Sequence, residues 1–441
     1  MKDTTAVMHP DPAGQKFGPI WLTPGIGHGN AATAIYAAFT TVSLLIFLSL
    51  VQPYLLTEVL NIPLGEQGSV TGRLTLLQEV VVIIAMSASG ALSDQWGRRL
   101  VYVIGFVFSG IGYFLYPLAD SIAQLTIFRL IFALGASIIP TMLAAIVIDY
   151  SQPVSRGKWF GIANLCGGFG ILIIIFVMVP MPARLEASGI DSILAARYTF
   201  WIASAACFVG AAILLLGLKG KKFDSGAAKP NPFVQAAAAL KAGFQNRKLA
   251  LAYGCAFVGR GDLVIVGTFL PLWATHAGLA AGLSTGEALA KGAIVLIANQ
   301  STILLFALAA GYLTDKFNKI AVLAVSFALA ALGYFGLWFV GDPFNPLIFA
   351  AIIPLGIGEV TIVVASSALV GQEAPVQSRG SILGVFGVIG AIGIGIATFT
   401  GGELFDAIGK TAPFAMMACF NLVIVMWALY IYLTHDGSNK Q

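Results

Sequence analysis

The chain has 441 residues, of which 58% are hydrophobic and only 10% charged, with a formal net charge of +4. A soluble globular chain averages roughly 45–50% apolar and about 25% charged residues, so this one cannot cover a water-exposed core and must use the lipid bilayer as its solvent. The small positive balance gives no footing for nucleic acid. Four cysteines, Cys166, Cys207, Cys255 and Cys419, stand singly in apolar runs without zinc or redox spacing. They read as small buried residues, and neither a metal nor a cofactor is expected.

Crossing a bilayer takes about 20 apolar residues per helix, and only helices or closed barrels satisfy the backbone there. The apolar runs lack the alternation of a barrel. Residues 1–32 are polar, rich in Pro and Gly, and without a cleavable apolar stretch, so they read as a tail and not a signal peptide. Six helices are then predicted at 33–57, 70–93, 99–118, 122–147, 158–180 and 197–218. The segment 219–248 opens with "KGKKFDSGAAKPNP", a polar linker. It continues with Phe233, Leu240 and Phe244 beside Lys241, Arg247 and Lys248, the pattern of a short amphipathic helix at an interface. Six more spans follow at 249–275, 287–313, 319–341, 345–371, 379–402 and 410–433, before a tail at 434–441. The expected fold is an all-α integral membrane protein with twelve transmembrane helices in two pseudo-symmetric six-helix bundles, 33–218 and 249–433. With both termini cytoplasmic, seventeen of the 24 Lys and Arg fall on inner segments and five on outer ones, as the positive-inside rule requires. A plasma (inner) membrane location is expected.

The halves repeat. "GALSDQWGRR" at 90–99 returns in worn form as "GYLTDKFNK" at 311–319, an offset of 221 residues that also carries Gln78-Glu79 onto Asn299-Gln300 and Gly135 onto Gly356. "PVSRG" at 153–157 matches "PVQSRG" at 375–380 with slight slippage. Such parallel repeats bind solute between the halves near the midplane.

These motifs carry a family resemblance. "GALSDQWGRR" resembles the signature loop of the major facilitator superfamily, G-x-x-x-D-x-x-G-R-R or K, and "GYLTDKFNK" sits where that family keeps its second copy. "LTIFRLIFALGA" (125–136) resembles the family's helix-four motif, with Ala133 in place of a usual glycine. "GGELFDAIGKTAPF" (401–414) looks like its join of helices eleven and twelve. The helix-five proline of many drug/proton antiporters is absent from "GIANLCGGFGILI" (161–173). The resemblance implies a secondary transporter, monomeric, moving a small-molecule solute by alternating access. It also implies a cytoplasmic gate of Gly90, Asp94, Gly97, Arg98 and Arg99 with Asp149 and Arg156, and of Gly311, Asp315 and Lys319 with Glu373 and Arg379. Asp94 would meet a helix N-terminus or a cation of the other half; the plainer reading is that these charges only set topology.

A charge at bilayer depth costs at least about 2.5–3.5 kcal/mol and marks function by default. Arg129, Arg260, Asn299 and Gln300 are the candidates for binding solute; Glu359, Asp262 and Glu79 are those for proton coupling. Arg129 either binds an anionic group or restrains a carboxylate, Glu79 being the expected partner of a purely structural pair. Arg260 and Asp262 lie about 200° apart around their helix, so only one of them faces a cavity. By placement, Arg260 resembles the helix-seven arginine of organic-anion members of the family. Glu359 has no basic neighbour within four residues and either exchanges a proton or is held by an amide or carbonyl. Trp273 and Tyr334 either line the pathway or pack. "GKT" at 409–411 lacks the first glycine of a phosphate loop, and no nucleophile–base pair appears, so an enzyme is not expected. The leading reading is a proton-coupled transporter of an organic anion. Its alternatives are a proton-driven exporter of drugs or amphipathic metabolites, an uncoupled uniporter, and a solute sensor.

Overall fold

A computed structural model of the chain describes residues 11–220, 232–375 and 378–436. Among them, twelve spans are long and apolar enough to cross a membrane. The first half contains α1 (His28–Glu58), α2 (Gln67–Trp96), α3 (Arg98–Leu115), α4 (Ile122–Tyr150), α5 (Arg156–Val177), a short α6 (Met181–Ala187) and α7 (Ser192–Gly217). The second contains α9 (Arg247–Ala280), α10 (Thr285–Lys316), α11 (Lys319–Val340), α12 (Ile348–Glu373), α13 (Arg379–Ala407) and α14 (Ala412–Ile431), preceded by α8 (Pro232–Gln245). Helix α8 rests on the base of α9, where the Tyr253 hydroxyl donates to the Ala239 carbonyl (3.2 Å). Part of the linker expectation, at 221–231, lies outside the described residues.

The repeat is visible in the packing. Helix α3 packs on α4 and α7, α1 on α5, and α2 on α4; α11 packs on α12 and α14, α9 on α13, and α10 on α12 in the same way. Small residues allow these approaches: a Cβ on Gly135 would fall 2.6 Å from the Gly105 carbonyl, and one on Gly358 would fall 2.7 Å from that of Ser326. Two expectations need correction. The motif at 90–99 is not a loop, because α2 runs to Trp96 and α3 starts at Arg98; Gly97 alone breaks the helix, at φ 90°. Cysteine burial also fails at Cys419, which is exposed, and at Cys166, which is half-buried, because in lipid an apolar side chain need not face protein.

Both ends of the described chain lie on one face of the bundle, the terminal face. There the segment before α1 forms a small hairpin, Lys16–Phe17 paired with Ile20–Trp21. It docks on the α4–α5 connection, where Trp21 N–H donates to Ser155 Oγ (2.9 Å) and Gln152 Nε2 to the Leu22 carbonyl (2.9 Å).

The halves meet mainly along α2 with α13 and α5 with α10. At the face opposite the termini they are in close contact: Cβ atoms on Gly402 and Gly72 would fall 2.3 Å from the Gly68 carbonyl and 2.5 Å from the Thr398 carbonyl. Further in, Gly395 still touches Leu76 and Gly168 touches Leu304. Continuing both antiparallel registers toward the terminal face sets Gly90 against Gly380 and Gly161 against Gly311, yet a Cβ on any of these four would meet nothing within 4 Å. Each helix pair is therefore zipped at one end and splayed at the other, which leaves a cleft open on the terminal face.

One carboxylate caps a helix of the other half at the zipped end. Asp406, in the last turn of α13, accepts from Gly68 N–H (3.0 Å), Ser69 N–H (2.7 Å) and Ser69 Oγ (2.8 Å) in the first turn of α2. Those N–H groups have no partner inside their own helix, and the helix dipole favours an anion there. Asp406→Asn is expected to favour opening of this face about tenfold, or about 1.4 kcal/mol, within the range for hydrogen bonds to charged groups. Distances between spin labels at Leu64 and Ile408, in a background without native cysteines, will measure the shift.

Candidate transport site

The cleft lies between the halves, along α2 and α13 and along α5 and α10. Arg260, on α9, is exposed to it, with its stem against Gly390 of α13, where a Cβ would lie 2.7 Å from Cγ. A recess beside it is lined by Cys255, Ala256, Ile362, Ser366 and Phe386. Glu79, on α2 of the other half, is 8% exposed, and its charge interacts with those of Arg260 and Arg129. It accepts from Gln78 Nε2 at 3.3 Å. Gln300 is half-buried on α10 and looks across to α5, 3.6 Å from where a Cβ on Gly168 would be.

Helix geometry decides between Arg260 and Asp262. Arg260 takes the cleft side and Asp262 is fully buried, as two side chains about 200° apart must divide. Asp262 Oδ1 accepts from Asn421 Nδ2 (2.8 Å). Glu359, 2% exposed, accepts from Asn299 Nδ2 (3.2 Å), so Asn299 is turned to Glu359 and away from the cleft. Trp273 and Tyr334 are buried as well; they pack, Trp273 against Phe414 at 5.6 Å between ring centroids.

Arg129 does not reach the cleft either. It is 1% exposed and surrounded by neutral acceptors. Nη1 donates to Gln52 Oε1 (2.6 Å) and the Tyr116 hydroxyl (3.3 Å), and Nη2 to Thr75 Oγ1 (3.4 Å). Its structural role thus links α1, α2, α3 and α4 without the expected ion pair to Glu79.

The gate residues lie at the open face and bond within their own halves. Arg98 bridges Asp94 (2.8 Å) and Asp149 (3.2 Å), and its guanidinium also donates to Ser93 Oγ. Arg99 crowds Gly220, and Arg156 lines a recess with Asp149 beneath the hairpin. In the second half, Glu373 accepts from Asn246 Nδ2 (3.2 Å), while Asp315 and Arg379 are exposed and Lys319 is half-buried.

Sequence reasoning missed the contacts that close the opposite face. Besides Asp406, they are Arg73 with Glu403 (2.9 Å), Ser284 donating to Glu186 (3.2 Å), Thr285 donating to Glu58, and His276 Nε2 donating to Gln67 Oε1 (3.0 Å). Glu58 and Arg73 carry no sign of these partners in the sequence, because nothing in the chain pairs residues more than two hundred positions apart. Lys410 lies over the Phe405 ring at 4.6 Å; burial lowers its pKa and Asp406 opposes that.

Two repeated six-helix bundles around a cleft open to one side, with the Arg260 guanidinium accessible from it, have the architecture of a secondary membrane transporter. The chain belongs to the Major Facilitator Superfamily, whose model matches residues 31–301 and 290–441. It is 29% identical over 400 residues to magnetosome protein MamH of Paramagnetospirillum magneticum, covering 87% of this chain and 89% of that protein. It is 25% identical over 412 residues to magnetosome protein MamZ of the same organism, covering 90% of this chain but 62% of MamZ. The crystal structure of the nucleoside transporter NupG shares the fold with a TM-score of 0.73 at 15% identity, covering 92% of this chain and 99% of that one.

The two arginines separate in one experiment. Arg129→Ala removes the charged donor that Gln52, Tyr116 and Thr75 share, leaving Gln52 Oε1 only the Tyr116 hydroxyl, and should lower stability by about 1–3 kcal/mol. Arg260→Gln, at a solvent-accessible guanidinium with no hydrogen bond to lose among the described residues, should cost less than this. Thermal unfolding of both variants in detergent tests this.

Proposed function

We propose that the protein carries a small organic anion across the membrane by alternating access, coupled to protons, with Arg260 as the solute's counter-charge. The observation that carries this reading is the position of Arg260 in the cleft, facing Glu79 of the other half. With the solute absent, Glu79 balances Arg260. An arriving anion competes with Glu79 for the guanidinium, and a proton on Glu79 removes the competitor. Solute and proton then load together, and the neutralised site is the one that crosses the low-dielectric barrier most readily. Gln78 and Gln300, one from each half, and Ser366 beside Arg260 are neutral groups for orienting the solute.

Placing the basic terminal face in the cytoplasm follows the charge bias of the loops, and the conformation described is then inward-open. Closure of that face would reverse the packing. The register that seats Asp406 on Gly68 and Ser69 of α2 also seats Asp94, near the end of α2, on Gly380 and Ser381 at the start of α13. In this reading Asp406 locks the outer face, Asp94 locks the inner one, and a transport cycle exchanges the two. Asp94→Asn should favour the inward-open state by about tenfold, read from labels on the inner ends of α2 and α13.

Function is tested in proteoliposomes loaded with a pH dye while small organic anions and lipophilic cations are supplied. An anion that moves protons with the wild type, loses uptake in Arg260→Gln, and in Glu79→Gln still crosses without proton movement is the expected pattern. Cation-driven proton movement would point to a drug exporter. Solute binding without flux would point to a sensor, and either result would overturn the proposal.

A further inference from the structure

The transport cleft leaves one polar cluster unused. Asp262 on α9, Asn299 on α10, Tyr334 on α11, Glu359 on α12 and Asn421 on α14 converge inside the second bundle, each at most 7% exposed. Gly259 packs on Ile362, where a Cβ would lie 2.5 Å from its side chain. Three residues on along each antiparallel helix, on the same faces, Asp262 and Glu359 come level, and their charges interact. Each donor atom in the cluster makes at least one bond among the described residues. The Asn421 amide donates to Asp262 (2.8 Å) and to the Met417 carbonyl (2.8 Å), the Asn299 amide to Glu359 (3.2 Å), and the Tyr334 hydroxyl to the Asp262 backbone carbonyl (2.9 Å).

What remains is oxygen alone. Asp262 Oδ2, Glu359 Oε1, Asn299 Oδ1 and Asn421 Oδ1 are all buried without a hydrogen-bond partner among the described residues. A buried acceptor left so is destabilising, and four in one cluster of a bundle core call for a common ligand. One proton shared between the carboxyls satisfies two of the oxygens and neither amide. A cation satisfies acceptors of both kinds. The donor set is hard oxygen throughout, with neither His nor Cys, which excludes zinc and copper as natural occupants. Magnesium keeps several waters and calcium takes six to eight oxygens, and this enclosed set of four side-chain oxygens suits neither. A monovalent ion with one carboxyl proton retained balances the two acidic groups.

We infer that the second bundle holds a dehydrated sodium-class cation between Asp262, Glu359, Asn299 and Asn421, at a site separate from Arg260. The ion ties α9, α10, α12 and α14 together, and its release loosens the half of the protein that carries the solute's arginine. This inference stands independently of anion transport, because sodium binding can be measured with no solute present.

The test uses the full chain in detergent at constant ionic strength, with sodium exchanged for potassium or choline. Sodium should raise the melting temperature saturably, by at least about 2 °C, and the rise should vanish in Asp262→Asn and Glu359→Gln. Radioactive sodium should bind the wild type saturably, displaced by unlabelled sodium and not by potassium, which keeps the test decisive if a variant does not fold. Absence of saturable sodium binding, a shift that survives in both variants, or stabilisation by divalent ions or acid alone would overturn it.

Discussion

The contact between Asp406 and the first turn of α2 joins the two halves at the closed face. A helix start offers N–H groups that its own turns cannot satisfy, and in a membrane protein those groups need a partner from elsewhere. Here the partner is the last turn of a helix in the other half. Glycines at 68, 72 and 402 let the backbones come near enough for it. Since the paired helices are rigid rods, closure at one end forces them apart at the other, and the cleft on the terminal face follows from that lever.

The polar residues inside the bilayer divide by what surrounds them. Arg129 has neutral oxygens on two of its nitrogens, and such a network serves to hold helices in register. Arg260 is accessible from the cleft, and a carboxylate from the opposite half lies near enough for their charges to interact. Only the second arrangement changes as the halves move, because only there do the interacting groups belong to different rigid bodies. The carboxylates of the second bundle form a third class. They are enclosed by one half, level with each other, and bonded by amides that leave oxygens unanswered.

Much of the architecture was legible in the chain. Twelve apolar runs, a charge bias and a repeat at a fixed offset are one-dimensional signals, and the resemblance carried by 90–99 and 125–136 led to the family that the whole-chain match establishes. Spans were read short where helices continue past their apolar stretch: α2 keeps its helix through Ser93, Asp94 and Gln95 to Trp96, since a helix extends into the polar interface as long as its backbone bonds are made. The site was legible as a set of unusual residues, but not as an arrangement. Asn299 looked like a solute ligand by composition, and its amide is bonded to Glu359. The 200° separation showed that Arg260 and Asp262 must part company, without showing which would be wet.

The sequence by itself therefore determined the number of spans, the two-fold repeat, the orientation preference of the loops and the short roster of polar groups in the membrane. These depend on composition and spacing along one chain. Tertiary structure alone decided which of those groups share a cleft, which are enclosed, and which face is shut. Those outcomes depend on contacts such as Gly68 with Gly402 and Asp262 with Asn421, between residues far apart in the chain whose meeting is set by packing, and packing leaves no period in the sequence to read.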